Sequence, residues 1–445
     1  MLFIIILLLC ILFIIASSTK FKLHPFLALL FACLGFGLFT GMPLSKIVQS
    51  INEGFGNTIG YIGIVIIAGT IIGTFLEFSG GAFTLADKIL KLIGEKRVPL
   101  AMSIIGYFVS IPVFADSGFV ILSPLNKALS KRANISLAGP AIALSLGLMV
   151  THCLIPPTPG PIATAGILGA DIGLVILLGI PVSLIALFNS WLFAAKFAAK
   201  LQIDPNPEIS DKEIASKIKQ APSAINAMGP ILVPIILIVL RSVSEFPTNP
   251  LGEGVVKNII GFIGEPIIAL LIGVILAFGL PKKLQKSMLA DSGWVGKGLR
   301  SAAIIIIITG AGGAFGKVLQ NSSLADTLGN ALSDAKLGIW LPFIIAATIK
   351  TAQGSSTVAM ITTASILSPL LISLGFTSEI AKALVVISIG AGAMVASHVN
   401  DSYFWVVTQM SRMDVKTGYK FHSLGSLILG LSAAVVIWIL SLFLI

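Results

Sequence analysis

A chain of 445 residues that is 56% hydrophobic and 11% charged has too little polar surface to cover a water-soluble globule, and its many apolar runs near 20 residues need a bilayer to cross repeatedly. Its net charge of +10 argues less for nucleic acid than for lipid headgroups, because the basic residues sit in short loops between apolar runs. The chain therefore reads as a multi-pass membrane protein, with the lipid bilayer as a partner and no nucleic acid.

The first 16 residues, MLFIIILLLCILFIIA, lack a basic start and a small-residue cleavage site, so they read as a retained first span rather than a signal peptide. Apolar segments follow at about 24–40, 58–78, 99–125, 137–170, 172–195, 223–241, 258–280, 300–317, 338–373, 381–410 and 422–445. Segment 99–125 contains IPVFADSGFVILSPL, in which Asp116 interrupts an apolar run and is followed by Ser117 and Gly118. Segments 137–170 and 381–410 exceed one plain span and hold PPTPGP and HVNDS. Segment 338–373 is longer than one helix needs, too short for two full spans, and carries KTAQGSST near its centre. Residues 196–222 form the one polar linker of any length and divide the chain into 1–195 and 223–445. Cys10, Cys33 and Cys153 lie in apolar runs without CxxC or metal-ligand spacing, so they read as small buried residues, and neither metal nor cofactor is expected.

The two halves resemble each other. ILSPL occurs at 121–125 and 366–370, Leu85-Ala86-Asp87 recurs as Leu324-Ala325-Asp326, and GLMVTH (147–152) parallels GAMVASH (392–398), in the same order. This reads as a duplicated unit. Loop charge then bears on topology. If 99–130 and 338–373 are re-entrant hairpins and the N-terminus is outside, one face carries 22 basic residues and the other 6; if each segment crosses once, they divide 13 to 15. The positive-inside bias selects the hairpins. It also gives an odd number of spans, five, in each half, so the expected fold is an all-α polytopic membrane protein of two inverted repeats. Each repeat has a re-entrant hairpin and an interrupted helix, 137–170 in the first and 381–410 in the second. Such duplication with interrupted helices points to a secondary transporter site.

Asp116 then falls at the tip of the first hairpin, where a carboxylate costs about 3 kcal/mol on insertion scales and must be neutralised, paired or bound to a ligand. The corresponding second tip is Gln353-Gly354-Ser355-Ser356-Thr357. Helix ends at such tips leave N–H groups free and favour an anion. PPTPGP after His152, and His398-Val399-Asn400-Asp401-Ser402, bring two further polar breaks to mid-membrane. Other roles remain open to these residues. Asp116 is placed to cap the returning helix. Lys350 can snorkel to an interface or pair with Asp116, Asp401 or a substrate carboxylate. His152 and His398 can relay protons or pack as satisfied histidines. His24 and His422 fall at span edges and read as interfacial, and Glu77 and Glu265 as solvated. Ser355, Ser356 and Thr357 can bond their own backbone, and the four prolines of PPTPGP rigidify an unwound segment.

IPVFADSGFV, HCLIPPTPGP, KTAQGSSTVAMI and SHVNDSYFWV, in this order and spacing, resemble the gluconate permease (GntP-type) family of the ion transporter superfamily, and the resemblance covers nearly the whole chain. It implies a proton-coupled importer of gluconate or a related small hydroxy acid, with scaffold and transport parts, an elevator-like motion and a homodimer. The expected partners are thus a small anionic substrate and protons. Two positions depart from the family pattern: Thr158 stands where PPHPGP often has His, and the first tip reads ADSG where FDVG is common. Substrate contacts are expected from Asp116, Ser117, Gly118, Pro157, Thr158, Gln353, Gly354, Ser355, Ser356, Thr357, Asn400, Asp401 and Ser402. Proton coupling is expected from Asp116, Asp401, His152, His398 and Lys350. D-serine or a glycerate-like acid is the alternative cargo. Ser, His and Asp at depth also admit an intramembrane enzyme, but no G-x-S-x-G turn is present. No Walker-type loop points to direct ATP use, and a channel fits a duplicated, hairpin-bearing unit less well than alternating access.

Overall fold

Backbone polar groups in a bilayer have no water to bond, which leaves helices as the economical way to satisfy a chain this apolar. The computed structural model describes residues 2–94, 97–206, 211–245, 254–322 and 337–445, and all regular structure among them is helical. In chain order the helices are α1 (Leu2–Thr19), α2 (Pro25–Phe39), α3 (Leu44–Phe78), α4 (Gly81–Ile93), α5 (Val98–Val109), α6 (Ala115–Arg132), α7 (Ala138–Leu154), α8 (Pro159–Leu168) and α9 (Ile172–Lys196). Then come α10 (Asp211–Gln220), α11 (Ala224–Ser244), α12 (Val255–Ile263), α13 (Pro266–Phe278), α14 (Lys286–Leu289), α15 (Trp294–Gln320) and α16 (Trp340–Gln353). The chain closes with α17 (Ser356–Leu367), α18 (Glu379–Ala393), α19 (Ser402–Met410), α20 (Val415–Gly418) and α21 (Leu424–Leu444). Among the described residues, six helical stretches are long and apolar enough to cross a bilayer, or seven if α12 and α13 form one bent span.

Three expectations are corrected. Segment 258–280 is no plain span: it bends by 66° between α12 and α13, because Pro266 supplies no N–H and pushes the residue before it out of helical geometry. Segment 58–78 is the end of a 35-residue helix that starts at Leu44. Hydropathy misses its first turns because they carry Lys46, Gln49, Asn52 and Glu53. They are ordered by packing on α15, so closely that a Cβ on Gly54 would sit 2.5 Å from Gly313 O, and Asn321 Nδ2 donates to Ser50 Oγ at 2.9 Å. Small residues permit such close helix contact. Nor is 196–222 merely a tether. Leu137 N donates to Ile203 O at 3.0 Å, Ser136 Oγ donates to Leu201 O at 2.5 Å and accepts from Ile203 N at 2.9 Å, and residues 211–220 form α10. In the internal repeat, Leu85-Ala86-Asp87 lies in α4, whereas Leu324-Ala325-Asp326 falls outside the described residues.

Four interruptions position the interior polar groups: 110–114 between α5 and α6, 155–158 between α7 and α8, 354–355 between α16 and α17, and 394–401 between α18 and α19. They rest on backbone at close range. A Cβ on Gly73 of α3 would meet Pro112 O at 2.0 Å, so α3 can support the first break only through a glycine. Gly354 has φ +91°, and a Cβ there would meet Asn400 O at 2.1 Å; only glycine combines that conformation with that contact. Every residue of α7 is buried except His152, which therefore marks where this apolar helix meets an opening.

Candidate functional site at three helix N-termini

Helices α6, α17 and α19 begin around one cavity of about 300 Å³. Its wall holds Phe114, Ala115 and Asp116 at the start of α6, Ser355, Ser356 and Thr357 at the start of α17, and Asp401, Ser402 and Tyr403 at the start of α19. The first N–H groups of a helix have no intrahelical acceptor, and the aligned peptides place roughly half a positive charge at that end. Some of these donors are capped: Ser355 Oγ accepts from Val358 N at 3.3 Å, and Asp401 Oδ1 from Tyr403 N at 3.0 Å. Helix α6 has no side-chain cap. Three positive ends around one volume favour an anion there.

The HVNDS break clamps the α16 tip. Asn400 Nδ2 donates to Thr351 O at 2.9 Å and Ala352 O at 3.0 Å, and His398 Nε2 lies 2.8 Å from Thr351 O. These are terminal carbonyls that no helical N–H reaches. Lys350, 1% exposed, donates to the Gly354 carbonyl and to Asp401 Oδ2, the latter at 2.5 Å. Asp401 Oδ2 also accepts from Ser397 Oγ at 2.5 Å. Ser397 Oγ lies 3.1 Å from His422 Nε2, and His422 Nδ1 lies 3.3 Å from Ser145 Oγ. A hydroxyl has one proton to donate. Ser397 gives its proton to the carboxylate, so it accepts from His422, whose Nε2 therefore carries a proton.

Four buried atoms on residues lining the cavity have no hydrogen-bond partner among the described residues: Asp116 Oδ1, His152 Nδ1, and Gln353 Oε1 and Nε2. Buried polar atoms are rarely left so. Their grouping in one hollow, against Lys350 and Asp401 which are fully engaged, is what a polar solute would satisfy. Among the described residues no three His, Cys, Asp or Glu side chains are arranged to hold a metal ion.

Of the residues singled out from sequence, Asp116, His152, Gln353, Gly354, Ser355, Ser356, Thr357, Asn400, Asp401 and Ser402 line the cavity. Ser117, Gly118, Pro157, Thr158, Lys350 and His398 do not. Gly118 packs on Leu148, which a Cβ would approach to 2.7 Å. Thr158 is buried and its hydroxyl donates to Ile155 O at 2.5 Å, so it braces the proline-rich break. Lys350 does not snorkel; it acts on the cavity through Asp401 and Gly354. His398 is half-buried and stacks on Tyr419 with centroids 6.3 Å apart. Asp116 does not cap α6, since it occupies the first turn rather than the N-cap. His422 is corrected most: read as interfacial, it is 0% exposed. Phe114, Ala115, Met149 and Tyr403 also line the cavity and were not anticipated. Their positions beside Asp116, His152 and Ser402 are the signal that could have found them.

The sequence profile described as GntP family permease matches residues 1–443. A gluconate permease of Pseudomonas aeruginosa is 34% identical over 96% of this chain and 95% of its own length. A D-serine transporter, DsdX, of Escherichia coli K12 is 35% identical over 98% of this chain and 97% of its own. The fold is similar to that of the Alcanivorax borkumensis YdaH transporter, with a TM-score of 0.67 at 15% identity over 95% of this chain and 99% of that one. The protein is accordingly a multi-pass inner-membrane transporter and not an enzyme, and the chain belongs to the GntP family of permeases.

Proposed function

We propose that the cavity at the three helix N-termini is the substrate site of a proton-coupled secondary transporter that imports gluconate or a related small hydroxy carboxylate. The convergence of the starts of α6, α17 and α19 on one hollow carries this reading, because an anion is the solute such a field selects. Hydroxyls of the cargo find acceptors and donors in Gln353, His152, Ser356 and Ser402. Relatives named gluconate permease support the class of cargo.

The proton is carried by Asp116. Lys350 and Asp401 cancel each other at 2.5 Å, whereas Asp116 has no counter-charge beside it: its side chain bonds Ser402, and its Oδ1 has no hydrogen-bond partner among the described residues. With Asp116 ionised, its charge opposes the helix ends and repels a carboxylate. Protonated, it leaves their field unopposed, so proton and anion enter together. The 99–130 and 338–373 segments act as re-entrant hairpins of two inverted repeats, ten spans in all, and the protein works as a homodimer whose transport parts move in an elevator-like way. A second reading follows from the same residue: an ionised Asp116 facing an ammonium group would suit D-serine, the cargo in the name of a relative.

Uptake of gluconate, glycerate and D-serine into sealed proteoliposomes, with and without an inward proton gradient, tests both readings. Gradient-driven accumulation of a hydroxy acid is expected. Accumulation of D-serine alone selects the second reading, and accumulation of none of these solutes removes both.

A further inference from the structure

Away from the central cavity, a second hollow of about 390 Å³ lies where the end of α9 meets α20 and the π-helical turn Tyr419–Ser423. Phe197, Lys200, Leu201, Lys416, Lys420 and Phe421 line it. Three ammonium groups around one concavity repel one another unless an anion is shared among them. Among the described residues none of the three forms an ion pair. Asp414, the carboxylate that acts on Lys416, holds Thr417 N at 2.8 Å and lies outside the lining.

Apart from Thr417, the rest of the wall is apolar. Phe421 is 5% exposed and Phe197 40% exposed, and Lys420 Nζ stands 5.4 Å and 6.0 Å from their ring centroids. The hollow also sits at the ends of two apolar stretches, Ile172–Lys200 and Val415–Leu444, which places it at a bilayer edge. The segments that form it, 196–222 and 411–420, are two that loop charge assigns to the basic face. A cation cluster over an exposed aromatic ring at that depth matches a molecule with an anionic head and an apolar tail.

We propose that this hollow binds the headgroup of an anionic phospholipid, with Lys200, Lys416 and Lys420 around the phosphate and Phe197 against the glycerol and first acyl carbons. Free phosphate shares the charge chemistry but leaves uncovered the 40% of Phe197 that its neighbours Phe193 and Phe421 do not bury, so the lipid is the assigned occupant. The turn that forms its wall continues into His422, whose Nε2 bonds Ser397 behind Asp401, so the hollow borders the support of the central cavity.

The test uses the full chain reconstituted in phosphatidylcholine vesicles with or without phosphatidylglycerol, extracted, and examined by native mass spectrometry. The wild type should carry phosphatidylglycerol through extraction. A Lys200→Gln, Lys416→Gln, Lys420→Gln variant should carry roughly tenfold less, while the corresponding triple Arg variant keeps it, since charge is retained. If the Gln variant does not insert, Lys420→Gln alone is read in the same way, with a several-fold loss expected. Equal retention by the Gln variant and the wild type overturns the site. Displacement of the retained lipid by millimolar inorganic phosphate overturns the lipid as occupant.

Discussion

Lys350 Nζ lies 2.5 Å from Asp401 Oδ2 with the two side chains 0% and 7% exposed, and this pair joins the end of α16 to the start of α19. Two interruptions from separate parts of the chain are thereby held as one wall of the cavity. Because the charges cancel, the field at the cavity is left to the helix ends and to Asp116.

Removing one member of that pair leaves the other buried without a counter-charge, which costs about 3–5 kcal/mol. Lys350→Met should therefore unfold well below the wild type in detergent. Lys350→Met with Asp401→Asn should recover most of the loss yet bind cargo weakly, because Asn accepts less strongly from Ser397 and Tyr403 N. An unchanged unfolding temperature in Lys350→Met would refute the structural role of the pair.

Asp116→Asn cannot release a proton, so it should lose gradient-driven accumulation and keep exchange of labelled for unlabelled cargo. Exchange needs no net proton movement. If the variant still accumulates cargo against its gradient, Asp116 is not the carrier, and His152, which also lines the cavity and whose Nδ1 has no hydrogen-bond partner among the described residues, is the next position to test.

His422 acts on Asp401 through Ser397, as a positioning residue. A hydrogen bond to a group that itself bonds a charge is worth roughly 1–2 kcal/mol. His422→Leu should raise the half-saturating concentration for exchange on the order of tenfold with the maximal rate little changed. His422→Gln, whose amide N–H can stand where Nε2–H does, should restore most of the affinity. Equal affinity in the Leu and Gln variants would show that only packing at this position matters.

The topology has its own check. Cys10, Cys33 and Cys153 are buried, so a cysteine placed at Asn134 or at the exposed Thr377 can be labelled on a quiet background. Asn134→Cys should react with an impermeant maleimide only from the cytoplasm, and Thr377→Cys only from outside. Reaction of both from one face would rule out the re-entrant arrangement of 338–373.

Membrane embedding and family follow from the sequence, and for a physical reason. Hydropathy is a sum over neighbours in the chain, and the motifs around Asp116, Pro157, Ser355 and Asp401 are contiguous strings of residues that interrupt it. Ten of the residues singled out from those strings line one cavity. Properties that depend on neighbours distant in sequence were not legible there. The polar start of α3 is helical because α15 packs on it, and Lys350 is buried because Asp401, 51 residues later, meets it. Thr158 turns from the cavity because its hydroxyl finds Ile155 O first. His422 looks interfacial in a chain written as a line, since it precedes an apolar run. In three dimensions it lies behind Ser397, with Ser145 on its other side, 277 residues earlier. Which polar residues face cargo and which brace the wall was decided by hydrogen-bond partners that only the fold brings together.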